Sequence, residues 1–170
     1  MNNTIAIKKV TDYSMDRLKT SVSENATQDE AIRSDGFFPY ISLHALRNAM
    51  RIDGTVTNER LKSAVIEAIA SVNHDLKAFR RQQQNNGVDK LANVGDDHID
   101  GESVAVQRYK RAVYCLAVAE LTEHYRSYDA TNTGRKQADE NEPLIGELRR
   151  NARFAISDIL GEVRLTAELV

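Results

Sequence analysis

The chain has 170 residues, 41% hydrophobic and 28% charged, with 23 Lys and Arg against 25 Asp and Glu for a formal charge of −2. That length fits one globular unit with a core of its own, and a single cysteine, Cys115, excludes a disulfide framework. The balanced charge argues against a domain built on phosphate contacts, and no apolar run reaches the roughly 18–20 residues that span a bilayer, so a membrane partner is not expected.

Residues 1–36 are rich in Ser, Thr, Asn and Asp with mixed charge and have no sustained apolar period. Too little apolar surface is available there to offset the ordering entropy, so they read as an extended or disordered N-terminal arm, with a short helix from Ser14 to Ser21 at most. Phe37, Phe38, Pro39, Tyr40 and Ile41 then gather large apolar side chains around a helix-breaking proline, marking where the arm meets a body.

Ser42 is placed to cap a first helix carrying Leu43, Leu46 and Met50 and ending near Asp53 and Gly54, with the glycine as its stop. Thr57 caps a second helix. Its Leu61, Ala64, Val65, Ala68, Ile69, Val72, Leu76 and Phe79 follow the 3.6-residue period until polarity returns at Arg80 and Arg81. From Gly87 to Gly101 the chain reads as an acidic loop. A third helix follows from Glu102 to about Tyr125. Its segment Ala112 to Leu121 is apolar at every position but Glu120, which predicts a central, buried helix.

Ser127 to Glu142 reads as a second polar loop. Pro143 suits the first turn of a fourth helix carrying Leu144, Ile145, Leu148, Ala152, Ala155, Ile156 and Ile159, with Gly161 at its end. In Glu162 to Val170, Val163, Leu165, Ala167 and Leu169 alternate with Arg164, Thr166 and Glu168, the two-residue period of a strand. The expected fold is all-α: a small four-helix bundle over 37–161, with a flexible N-terminal arm at 1–36 and an extended C-terminal tail at 162–170.

Catalytic and metal chemistry is sparse. Asp96, Asp100 and Gly101 fall at positions one, five and six of a calcium loop, but position three is His98 and position twelve Gln107, so the closing bidentate carboxylate is missing. A helix N-terminus with Asp100 as N-cap and Ser103 nearby explains the acids more simply. His44, His74, His98 and His124 lie on different elements with no second His or Cys at ligand spacing. Cys115, inside the apolar run, reads as a small buried hydrophobe rather than a nucleophile. No G-x-S-x-G, Walker or G-x-G-x-x-G pattern occurs. No catalytic, metal or cofactor site is therefore expected, and no enzyme. The basic groups Arg80 with Arg81, Lys110 with Arg111, Arg135 with Lys136, and Arg149, Arg150 and Arg153 lack interleaved aromatics or a helix-turn-helix, which speaks against sequence-specific DNA reading.

Four segments in order carry a family resemblance: FFPYI at Phe37–Ile41, DDHIDGESV at Asp96–Val104, Tyr109–Val113 with AVAELTEHYR at Ala117–Arg126, and DATNTGRKQAD at Asp129–Asp139 followed by ELRRNARFA at Glu147–Ala155. Over about Phe37 to Leu160 the chain resembles the L-type head completion proteins of peduovirus-type tailed phages. His98 is a departure within the acidic block, and Arg149 and Phe154 stand where the family has tryptophans.

The resemblance implies a virion protein of the head–tail interface, assembled in the host cytoplasm. Such a protein joins the portal protein after DNA packaging, extends the exit channel, helps retain the genome and presents a surface to a tail or tail-completion protein. Similarity of element order to the adaptor rings of other long-tailed phages implies self-association into a ring, dodecameric in those relatives. On that reading Val163, Arg164, Leu165, Ala167 and Leu169 are candidates for a strand docking to the portal, and Arg80 and Arg81 for non-specific contact with packaged DNA. The competing reading, a DNA-binding packaging module such as a small terminase subunit, would want a compact N-terminal helix-turn-helix, which residues 1–36 do not supply.

Overall fold

The computed structural model of the chain describes residues 30–128 and 132–162, the side chains of 125–128 and 132–143 excepted. The chain divides into two units, residues 1–30 and 31–170. The arm before residue 30 and the tail residues Val163 to Leu169 lie outside the described residues.

The elements are β1 (Ala31–Ile32), β2 (Ile41–Ser42), α1 (Leu43–Met50), α2 (Asn58–Asp75), α3 (Lys77–Asn85), a 3-10 turn (Leu91–Asn93), β3 (His98–Ile99), β4 (Glu102–Ser103), α4 (Val104–Tyr128) and α5 (Asn132–Leu160). The described residues are thus mostly helical, with five helices where four were expected and two short antiparallel ribbons that were not. In the first ribbon Ala31 faces Ser42 and Ile32 faces Ile41. Residues 31–36, assigned to the arm from sequence, belong with the body, because Ile32 packs on the core and Asp35 forms an ion pair with Arg80.

Ser42 caps α1 as expected, its Oγ accepting the Ala45 N–H at 2.9 Å. The helix does not run on to Gly54. It ends at Arg51, which takes the left-handed conformation at φ 53°. The cause is a clamp: the Arg47 guanidinium donates to the carbonyls of Asp53 (3.0 Å) and Val56 (2.6 Å) and to Asn58 Oδ1 (2.9 Å), folding the chain back before the glycine is reached. A non-glycine residue in this conformation costs about 1–2 kcal/mol. Arg51→Gly is therefore expected to stabilise the fold by about 1 kcal/mol, a rise of roughly 2–4 °C in Tm by thermal denaturation. An unchanged or lowered Tm would show that Arg51 contributes through its side chain instead.

Thr57 caps α2, its Oγ1 accepting the Arg60 N–H at 3.4 Å, and Leu61, Ala64, Val65, Ala68, Ile69 and Val72 are buried on one face. The single long helix read from the period is divided at Leu76, whose φ of −86° and ψ of 5° interrupt it while the side chain stays fully buried. Past this point the apolar stripe shrinks to a half-buried Phe79, so little packing holds the original axis.

Helix α4 is central, as its apolar run requires. Asn73 meets Tyr109, and Glu67 acts on Glu120, so α2 runs antiparallel to it. Arg108 meets Asp158 and Glu123 meets Arg149, so α5 does too. Ala112, Val113, Ala117 and Leu121 join the main core, whereas Cys115 and Ala119 form a second cluster with Ile145, Leu148 and Ala152. Alanines at these contacts let the helix axes approach closely.

Two further expectations are overturned. Helix α5 begins at Asn132, so most of the expected 127–142 loop is helical and Pro143 lies inside the helix rather than in its first turn. Residues 132–142 lack an apolar stripe but contain Arg, Lys, Gln, Ala and Glu, all good helix formers, and a helix needs a stripe only to be buried. Second, Asp100 is not an N-cap. Asp100 and Gly101, at φ 54° and 74°, form the type I′ turn of a hairpin in which His98 faces Ser103 and Ile99 faces Glu102. At the other end Gly161 stops α5 as expected, at φ 71° with the Glu162 N–H donating to the Ser157 carbonyl.

Candidate functional site

The segment between β1 and β2 is built around an aromatic wedge. Phe37 and Phe38 meet edge to face at 5.1 Å, and Phe38 stacks on Tyr109 of α4 with ring centroids 4.8 Å apart and planes 10° from parallel. The Tyr109 hydroxyl donates to Asn73 Oδ1 at 2.7 Å, and burial pushes its pKa well up. The Leu91 N–H donates to the Phe37 carbonyl at 2.9 Å, which brings the 3-10 turn against the wedge. With the phenylalanines buried, Tyr40 is left 57% exposed, and the Arg33 guanidinium lies 5.9 Å from its ring. Between them opens a groove of about 390 Å³ with Phe37, Phe38 and Val106 among its apolar lining and Arg33 and Lys90 as its cations.

A second exposed feature is the β3–β4 hairpin. The Gln107 side chain donates to the carbonyls of Ile99 (2.7 Å) and Glu102 (3.3 Å), the Val104 N–H donates to the Asp97 carbonyl (3.0 Å), and Lys110 pairs with Glu102. This bracing holds Ile99 61% exposed beside the exposed carboxylates of Asp96, Asp97 and Asp100. The hairpin was legible in the Asp100-Gly101 pair, a strong turn signal between short strands, but the acids suggested a helix start instead.

The two DNA-contact candidates separate. Arg80 is partly buried and paired with Asp35, with a buried Nε that makes no hydrogen bond, whereas Arg81 is exposed. Of the arginines on α5, Arg149 pairs with Glu123, Arg150 lies 3.8 Å from Glu147, and Arg153 is exposed. The docking candidates Val163, Arg164, Leu165, Ala167 and Leu169 fall outside the described residues.

Cys115 is buried between α4 and α5, and burial raises its thiol pKa although Arg111 beside it pulls the other way. Its alkylation by iodoacetamide at neutral pH should be at least about tenfold slower than that of free cysteine, since both thiolate and access are reduced. Labelling at the free rate would mean the α4–α5 seam opens readily. Glu120 is also raised, by burial first, with His124 opposing and Glu67 and Glu123 adding to the shift. Among the described residues no cluster of three His, Cys, Asp or Glu could hold a metal ion, and no helix is long and apolar enough to cross a membrane.

Comparison with known proteins agrees with the resemblance read from the four segments. The chain is 38% identical to the head completion/stabilization protein of Escherichia phage P2 over 143 residues, 84% of this chain and 85% of that protein. It is 25% identical to the probable head completion/stabilization protein of Haemophilus phage HP1 (strain HP1c1) over 138 residues, 80% of this chain and 89% of that one. No solved structure matches it. A match to the phage head completion protein (GPL) family runs over residues 32–170, from the first ribbon through the aromatic wedge, the acidic hairpin and all five helices, and on this the chain belongs to that family.

Proposed function

We propose that this chain completes the DNA-filled phage head, binding at the portal vertex after packaging, extending the exit channel, stabilising the genome inside and offering a surface to the tail or a tail-completion protein. The observation that carries the reading is the 38% identity, over 84% of the chain, to the head completion/stabilization protein of phage P2. It acts as a structural component of the virion rather than as an enzyme, associates with copies of itself around the channel, and is assembled in the host cytoplasm. A helical body with a braced hairpin and a groove edged by the exposed ring of Tyr40 suits a protein whose work is to present surfaces.

The test uses DNA-filled heads from a phage lacking its head completion protein. Added chain should bind them, make their DNA resistant to nuclease and allow tails to join; heads that stay nuclease-sensitive, with no chain bound, would refute the reading.

Contact with DNA in the channel falls to Arg81 on this proposal, since Arg80 is engaged by Asp35. Arg81→Ala should weaken the salt-sensitive binding of duplex DNA without changing Tm, and Arg80→Ala should lower Tm by freeing Asp35. A reversed pattern would assign the DNA contact to Arg80.

A further inference from the structure

We infer that copies of this chain join knob into groove, the hairpin tip around Ile99 of one copy seating in the groove between Arg33, Tyr40 and Lys90 of the next. This deepens the self-association in the head-completion reading and rests on it.

The two surfaces complement each other in charge and in shape. The groove lining holds two cations, Arg33 and Lys90, and no carboxylate. The neighbouring Asp35 is taken up by Arg80. The knob has the opposite character: Asp96, Asp97 and Asp100 are exposed and, among the described residues, carry no ion pair. Each surface also leaves one large apolar side chain uncovered, Ile99 on the knob and the 57% exposed Tyr40 at the groove. Ile99 is 61% exposed, so it does not fill the groove of its own subunit, and the groove is floored by Phe37, Phe38 and Val106. A volume of about 390 Å³ takes an isoleucine side chain with room for the flanking carboxylates to reach the cations at the rim.

Both partners are ordered before they meet. A type I′ turn and the Gln107 amide hold the knob, while the Phe37–Phe38–Tyr109 stack fixes the groove and the guanidinium beside the ring orients Tyr40. Preorganisation reduces the ordering cost of association, and complementary charge fixes the register. Each copy offers one knob and one groove, so the contact is heterologous and builds head to tail, closing into a ring when the rotation per step allows. Nucleic acid suits the groove less well: its floor is apolar, and the whole chain is negative by two charges.

Complementary charge reversal tests the contact. One variant carries Arg33→Glu with Lys90→Glu, a second Asp96→Lys with Asp97→Lys, and a third all four; each is checked for wild-type helical signal and Tm. If a reversed chain misfolds, the Gln and Asn replacements at the same positions supply the comparison, with loss of association as their readout. Each two-site variant should associate about tenfold more weakly by sedimentation at low salt and leave fewer copies on filled heads, and the four-site chain should recover both.

Two-site variants that associate and load as the wild type does would overturn the inference. So would a groove variant that the knob reversal fails to rescue, which would give the groove to a different protein. Loss of binding to a duplex of about 30 base pairs, with copy number on heads unchanged, would make it a DNA site and equally overturn the inference. Failure of the wild-type chain itself to bind filled heads would instead strike the head-completion reading.

Discussion

Tyr109→Ala is expected to be the most damaging single substitution in the body, costing about 3–5 kcal/mol and leaving much of the protein unfolded or poorly cooperative at 37 °C. Tyr109 is fully buried, stacks on Phe38 and donates its hydroxyl to Asn73, so one side chain ties the β1–β2 segment, α2 and α4 together. Alanine would open a cavity between them, orphan Asn73 and remove the surface that seats Phe38. Tyr109→Phe keeps the ring and should cost only about 1 kcal/mol, the net worth of one hydrogen bond.

The pH dependence separates these effects. Burial raises the folded-state pKa of Tyr109 above the value of about 10 it has in the unfolded chain, so the unfolded state loses its proton first. Stability contributed by the neutral hydroxyl is therefore complete below about pH 10 and lost as pH rises above it, by up to about 1.4 kcal/mol per pH unit. Tyr109→Phe should remove that alkaline loss. Chemical denaturation between about pH 8 and pH 11 measures both. A Tyr109→Ala protein with wild-type stability would mean that the wedge is not part of the core.

Removal of the residues after Gly161 is expected to have the largest effect on function while leaving the fold nearly intact. The described core is built from residues no later than Leu160, and α5 is already stopped at Gly161, so the shortened chain should keep its helical signal and lose about 1 kcal/mol at most with the Glu162 hydrogen bond. We propose that the alternating Val163, Leu165, Ala167 and Leu169 supply a strand added to a sheet edge at the portal. Main-chain hydrogen bonds would give its affinity and the alternate side chains its specificity. The shortened protein should no longer join filled heads. If it unfolds, the tail belongs to the body; if it joins normally, docking lies elsewhere.

Much of the helical framework was legible because helix physics is local. Ser42 and Thr57 cap where their hydroxyls can reach an N–H three residues on, the α2 stripe buries the residues its period marks, and Gly161 stops α5 because a left-handed residue is needed there. The apolar run from Ala112 to Leu121, broken only at Glu120, likewise determined that α4 would be central, since it could not keep a wide solvated face. The acidic turn shows where this stops. Asp100 and Gly101 can serve a helix start or a hairpin, and the hairpin depends on Gln107, which reaches back to the Ile99 and Glu102 carbonyls from the next helix.

What only the tertiary structure decided is set by partners distant in the chain. Arg51 ends α1 ahead of an available glycine because the Arg47 clamp spans a loop. Arg80 is no free cation because Asp35, 45 positions earlier, lies beside it. The same holds for the groove: Arg33, Tyr40, Lys90 and Val106 share no period or motif, and they meet only because Phe37 and Phe38 are drawn into the core and the Leu91 turn closes over them. Sequence patterns record which face of an element must be buried, whereas the residues left together at the surface are determined by how those buried faces pack.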